Sequence, residues 1–466
     1  MTTATIEDLK ALDRKYIMHP FSSLQSQPRK DVNVMTSTNG IVLKNADGRE
    51  FLDAGSGLWC ANVGYGRTEI IKAATEQMEK TSFLHSFSNF SNEPLIRLSE
   101  RLLEIAPDNM ERVTYANSGS EANDTQIKLV WRYNNVRGKH EKKKLIARWG
   151  GYHGTTLGAG SVNGLSVVHR SFDLPIDRVL HTDAAEYHRR PAGIISEEHF
   201  SLYLANKLDK MIETEGSETV AAFIAEPIIG SAGVIPPPAG YFREIAKVLK
   251  KHDVLLIADE VITGFGRTGS WFAGPGLEMK PDLITVAKGL TSGYFPMSAC
   301  LVSDAICEVL YNEKEADGFF GHGFTTSGHP VGAAVALANI DIIDKEGLLE
   351  NSTRIGSYLL SSLREELDGV EFVSDIRGKG LMIGVEFDAV PEIRRAFSDI
   401  ASVGGLLSQA CLDEGLIVRG GHGRVIAAIA PPLTLTTEQA DQIVLCVKRA
   451  APKFAKALRA AQLDRA

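Results

Sequence analysis

A chain of 466 residues, 44% hydrophobic and 23% charged, exceeds one small folding unit and is too apolar to be disordered, so two substructures around a large core are expected. A formal net charge of -8 leaves no basic excess for nucleic acid or anionic lipid, and no apolar run is long enough to span a bilayer. The five cysteines, Cys60, Cys300, Cys307, Cys411 and Cys446, are scattered without metal-ligand spacing; they read as reduced thiols of a cytoplasmic protein, with no disulfide framework and no metal site.

In chain order, residues 1–58 predict a short polar helix, a turn at His19-Pro20 and a hairpin-like pair, Gly40–Leu43 and Glu50–Leu52, joined by Asn45-Ala46-Asp47-Gly48. Residues 59–328 alternate helical periodicity with short apolar strands at Val113–Tyr115, Lys144–Ala147, Ala221–Ala225, Val254–Asp259 and Leu283–Ala287. That alternation predicts an α/β domain with a parallel sheet and crossover helices. Residues 329–466 open with a helical run, Pro330 to Lys345, and continue with strands near Gly384–Phe387 and Gly415–Val418. This portion reads as a second, smaller α/β domain that residues 1–58 are expected to join. The basic run Lys139 to Lys144 reads as a solvated loop.

The chemistry concentrates at strand ends. Val254–Ile257 runs into Ala258-Asp259-Glu260, and Leu283–Ala287 runs into Lys288. Ligands in open α/β sheets sit at the carboxyl ends of such buried strands. A carboxylate able to hold a pyridine nitrogen protonated and an amine able to form a Schiff base are the minimum pair for pyridoxal phosphate (PLP) chemistry. Either residue alone would be an ordinary strand-end charge. Ser118-Gly119-Ser120-Glu121 opens a helix-like stretch, Ala122 to Tyr133, where free amides could cradle a phosphate, although the same tetrad is also a capping box. Gly150-Gly151-Tyr152-His153-Gly154 places an aromatic ring in a glycine-flanked turn, and Val261, in the glycine-rich exit from Asp259, is placed to pack on a ring face.

Together these motifs resemble the class III (ω-amino group) aminotransferases of the fold-type I PLP enzymes over nearly the whole chain. The match comprises Asn117–Ala122, Tyr152-His153-Gly154, Glu226-Pro227-Ile228, Asp259-Glu260-Val261, Ala287-Lys288-Gly289 and Phe324–Pro330, in the family's order. The resemblance implies a mostly parallel seven-stranded sheet with helices on both faces. It makes Lys288 the Schiff-base lysine, Asp259 the pyridinium partner and Tyr152 the stacking aromatic, with Ser118, Gly119 and Ser120 at the phosphate and His153, Glu226 and Val261 around the cofactor. Thr325 would reach the phosphate of a neighbouring subunit, which implies a homodimer, or a tetramer built from such dimers.

Gly57–Gly66, with Trp59, resembles the (S)-selective amine:pyruvate, β-alanine and diamine transaminases; a plain core tryptophan is the alternative. Phe21, Trp59, Phe87 and Ser231 are candidate pocket residues, and Arg419 matches the family arginine that binds a keto-acid carboxylate and swings away for amines lacking one. Relatives acting on ornithine or γ-aminobutyrate carry Glu where this chain has Ser231 and Gln where it has Ile262, which argues for apolar amines or diamines. The expected activity is an ω-transaminase passing an amino group to pyruvate by a ping-pong route. A fold-type I decarboxylase or aminomutase is the alternative; a nicotinamide oxidoreductase is disfavoured because no G-x-G-x-x-G follows a strand with a suitable acid downstream.

Overall fold

The computed structural model describes residues 5–24, 32–313 and 318–464. Seven strands build the central sheet: β4 (Met110–Ala116), β5 (Lys144–Arg148), β6 (Val179–Thr182), β7 (Val220–Ala225), β8 (Leu255–Asp259), β9 (Leu283–Val286) and β10 (Ser298–Ser303). They lie in the order β4-β10-β9-β8-β7-β5-β6. All run parallel except β10, which is antiparallel to both neighbours and makes the sheet mixed. Every residue of β7, β8 and β9 is buried, as continuous apolar runs with both faces covered require. Two of the seven, β6 and β10, lie outside the strands read from sequence. Ser298–Ser303 has only four apolar residues, Ala, Cys, Leu and Val, between its terminal serines, so its apolar signal is short although all six residues are buried.

Before the sheet come β1 (Met35–Asn39), β2 (Val42–Asn45) and β3 (Glu50–Asp53); after it come β11 (Val373–Gly378), β12 (Ile383–Phe387), β13 (Leu416–Ile417) and β14 (Val425–Ile429). The expected hairpin is present, with Val42 opposite Leu52 and Lys44 opposite Glu50. Strand β3 then pairs in parallel with β13, Leu52 opposite Leu416. The helix Pro330–Lys345 spans the residues expected of it.

The crossover helix preceding β8, Tyr241–Lys251, shows how the sheet is covered. Tyr241, Phe242, Ile245 and Leu249 fall on one face and are buried, while Lys250 and Lys251 in the last turn complement the helix dipole. The basic run at 139–144 differs from expectation. Lys142 is 2% exposed, and its ammonium donates to the carbonyls of Ser217 (2.8 Å) and His252 (3.1 Å). Burial pushes its pKa down to about 8. A charge run along the sequence cannot show that one of its members closes a gap between two later segments.

Candidate active site

The carboxyl ends of β4, β5, β7, β8 and β9 converge, and each contributes a functional group in the turn that follows. Asp259 ends β8 and is 3% exposed. Its Oδ2 accepts from Asn123 Nδ2 (2.9 Å) and shares a hydrogen bond with His153 Nδ1 (2.8 Å), while Oδ1 accepts from the Val261 amide (3.1 Å). Asn123 also donates to the His153 carbonyl (2.7 Å) and accepts from the Thr285 hydroxyl (2.8 Å), so one buried amide ties together the turns after β5 and β8 and the strand β9. Its neighbour Glu260 points away. It is 1% exposed and its carboxylate accepts from the amides of Ala273 (3.1 Å) and Gly274 (2.7 Å), which folds the glycine-rich exit back onto the strand.

The helix Gly119–Val136 begins against this carboxylate. Ser118 caps it, its hydroxyl accepting from the Glu121 amide (3.2 Å), while Glu121 accepts from the Asn117 amide (2.7 Å). The capping reading therefore holds for the Ser118 side chain, while the amides of Gly119 and Ser120, in the first turn, have no intrahelical acceptor and remain available to an anion. Gly119 leaves room for Val261: an added Cβ would lie 3.3 Å from both of its methyls. Gly154 is more constrained still. Its φ is +137°, and a Cβ would fall 2.5 Å from Ser120 Oγ, which accepts from the Thr155 amide (3.0 Å). The phosphate-type loop and the Tyr152-His153-Gly154 turn are thus pressed together through two glycines.

Lys288 lies just beyond β9 in a short 3₁₀ turn, with a positive φ of 37°. Such backbone strain in a non-glycine residue persists where surrounding structure dictates it. Burial holds its amine below the ordinary lysine range; Cys60, Asp259 and Glu226 oppose that shift and Arg419 adds to it. Glu226, 3% exposed, receives the amides of Tyr152 (3.0 Å) and Gly230 (2.9 Å), and burial raises its pKa above the usual carboxylate value.

The family profile described as aminotransferase class-III matches residues 25–451. The chain belongs to the class III aminotransferases. It is similar to the diaminobutyrate–2-oxoglutarate transaminase of Halomonas elongata, with 46% identity covering 97% of this chain and 98% of that protein. It is also similar to the putrescine–pyruvate aminotransferase of Pseudomonas aeruginosa, with 39% identity over 99% of both chains. The crystal structure of the ω-transaminase from Pseudomonas jessenii in complex with PMP superposes with a TM-score of 0.93 at 38% identity, covering 97% of this chain and 99% of that one. The protein is a fold-type I, PLP-dependent aminotransferase, and the residues present suit that cofactor: a buried carboxylate, an amine with depressed pKa and free helix-terminal amides beside the close-packed Gly119 and Gly154.

The candidate substrate residues of this aminotransferase come from segments far apart in sequence. Trp59, 6% exposed and at φ +63°, packs in a cluster with Ile228, Ile262, Met382 and Ile426, so it is a core residue whether or not a face also meets substrate. The rings of Phe21 and Tyr152 meet edge-on at 6.4 Å, and Phe21 also lies 5.6 Å from the His422 ring. Burial raises the Tyr152 phenol, with the Asp259 charge adding to the effect. Ser231 accepts the His422 amide on its carbonyl (3.0 Å). The Arg419 stem lies across Gly55, where a Cβ would approach Arg419 Cγ to 3.1 Å, and its guanidinium has no hydrogen-bond partner among the described residues. Burial lowers its pKa and the Asp53 charge opposes the shift.

Two expected site residues, Phe87 and Thr325, are exposed on the subunit. Phe87 is exposed and sits against Gly323, its ring 3.1 Å from where a Cβ would be, beside a groove of about 820 Å³ shared with Phe90, Phe319 and Phe320. Thr325 is exposed in the turn between Phe324 and Thr326, whose hydroxyl donates to Asn117 Oδ1 (2.8 Å). The residues that sequence reasoning passed over are Asn123 and His422. A fully buried asparagine within a stretch of Ala122, Thr125, Gln126 and Ile127 was the available signal for the first; nothing local marked the second.

Proposed function

We propose that this enzyme moves an amino group from a primary amine or ω-amino acid to a keto acid, with pyruvate as acceptor, in two half-reactions that share one site. The observation that carries this reading is the Arg419 guanidinium, which has no hydrogen-bond partner among the described residues and whose charge helps lower the Lys288 amine, together with an apolar cluster that contains Trp59 and Ile262. A guanidinium fork suits a carboxylate, and the apolar wall suits a donor without one. PLP, when bound, supplies the electron sink that lets a proton leave the donor carbon. Asp259, fixed by three donors, would hold the ring nitrogen protonated; Lys288 Nζ would carry the proton; Tyr152 and Val261 would pack on the ring; and Ser118 to Ser120 would hold the phosphate end.

The exposed positions of Phe87 and Thr325 support a homodimer in which each subunit lends these residues to its partner's site; an exclusively monomeric but fully active enzyme would refute it. The parallel pairing of β3 with β13 supports residues 1–58 and 329–466 forming one smaller domain beside residues 59–328. Among the described residues no helix is long and apolar enough to cross a membrane, and we place the enzyme in the cytoplasm.

The names of the two relatives divide on the acceptor, 2-oxoglutarate for one and pyruvate for the other. The test is the visible absorbance of the purified, PLP-loaded enzyme titrated with 1-phenylethylamine, putrescine, β-alanine and 2,4-diaminobutyrate, followed by each keto acid. Bleaching by a carboxylate-free amine and recovery with pyruvate is expected. Recovery with 2-oxoglutarate alone would overturn the acceptor, and bleaching by diaminobutyrate alone would overturn the donor class.

A further inference from the structure

The loop that follows Arg419 is held at three points and is slack between them. At its base the Arg419 amide donates to the Ala428 carbonyl (3.1 Å) and the Ala428 amide returns the bond (2.8 Å). Midway, the His422 amide donates to the Ser231 carbonyl (3.0 Å). At its far end Arg424 bridges two acids: Nη1 donates to Glu386 Oε1 (3.0 Å) and Nη2 to Glu186 Oε2 (2.5 Å). Three of the four residues between the two arginines are glycine, and Gly423 has φ +76° with open space where a Cβ would be. The stiffness of this loop comes from its pins and not from its own side chains.

The last pin is set in a buried network. Glu386, on β12, is 1% exposed and also accepts from Arg377 Nη1 (2.5 Å) and Arg189 Nη2 (2.5 Å); Arg189 further engages Asp388 (3.0 Å). Glu186 comes from the segment after β6, on the central sheet's side. Buried ion networks add little stability relative to apolar packing, but they tolerate only one arrangement, so they locate a group well. Here the located group is the segment that leads to Arg419.

We propose that Arg424 is a positioning residue for carboxylate-bearing substrates: by bridging Glu186 and Glu386 it fixes the Gly420–Gly423 loop, and through it the reach of Arg419 toward a keto acid at Lys288. This rests on the reading of Arg419 as the carboxylate arm. A donor without a carboxylate does not use that arm, so the consequence is selective. A merely structural role for Arg424 would instead depress every substrate alike.

The experiment uses Arg424→Lys, which keeps the charge but cannot bridge two acids, and Glu186→Gln, which loosens the same bridge from its other end. Both should raise the KM of pyruvate and of L-alanine by about tenfold, as a misplaced binding group does, with kcat for 1-phenylethylamine at saturating pyruvate within about twofold of the native value. Calorimetric Kd values for pyruvate and the PLP-loaded enzyme should rise in parallel. A loss shared equally by both donor types, or no change in either, overturns the proposal. Arg419→Ala separates the two layers: if it leaves pyruvate binding unchanged, the reading of Arg419 is wrong; if it weakens binding and the Arg424 and Glu186 variants do not, only the positioning role fails.

Discussion

The two charged groups Asp259 and Arg419 are held by opposite means. Asp259 has its carboxylate saturated by Asn123, His153 and the Val261 amide at the end of a wholly buried strand. Arg419 has a guanidinium free of hydrogen-bond partners among the described residues, on a loop anchored five residues away by Arg424. A group that must keep one ring charged through every turnover is immobilised directly. On the proposed reading, a group that accepts a carboxylate in one half-reaction and an uncharged substituent in the other is left free, and only its base is fixed.

This contrast can be broken by substitution at either end. The largest effect is expected at Lys288, where Lys288→Ala should cut multiple-turnover transamination by at least about 10³-fold, the range of a lost proton carrier, while PLP stays bound by the remaining contacts. Undiminished turnover would remove the assignment. Next is Asp259→Asn, which retains hydrogen bonding but not the charge; a drop of about 10²-fold in kcat with every donor is expected, with no preference for carboxylate-bearing ones. A donor-dependent loss there would erase the distinction between the two ends.

A smaller effect sharpens the cradle itself. Gly154→Ala forces a Cβ into Ser120 and a φ of +137° that alanine resists, so PLP affinity should fall by about tenfold, corresponding to ~1–3 kcal/mol of strain, measurable by fluorescence titration of apoenzyme. The smallest concerns the support behind His153. The Asn163 amide donates to the Gly154 carbonyl (2.7 Å), and the His181 ring hydrogen-bonds the Asn163 carbonyl (2.7 Å). Burial pushes the His181 pKa down to about 4 from 6.5. The unfolded chain therefore binds the extra proton first, and stability that is complete above pH 6.5 is lost as pH falls toward 4. Unfolding free energies from urea titrations at pH 7 and 5 should differ by about 1 kcal/mol more in the native enzyme than in His181→Asn; equal differences would refute the assignment of that slope to His181.

The cofactor end was readable because its parts are local. Asp259 and Lys288 terminate apolar runs, and Ser118-Gly119-Ser120 opens a helix, so each motif announced both its chemistry and its place at a strand end. Asn123 escaped notice because a buried asparagine in a helix looks polar and exposed until the helix is packed against β8 and β9. The substrate end was readable only residue by residue. Trp59 and Arg419 could be named, but not that Trp59 belongs to a core cluster, nor that His422 closes against Phe21.

Composition and motif order by themselves determined the α/β class and the dependence on PLP, and pointed to the lysine–aspartate pair, because strand burial and helix-terminal amides are written into short contiguous stretches. Tertiary structure decided which neutral groups surround Asp259, that Lys142 is buried, and that Glu186, Glu386 and Arg424 meet beside the Arg419 loop. The partners Glu186 and Arg424 are separated by 238 positions, and nothing in either neighbourhood encodes the other. Only the closing of the chain onto itself brings their charges within reach.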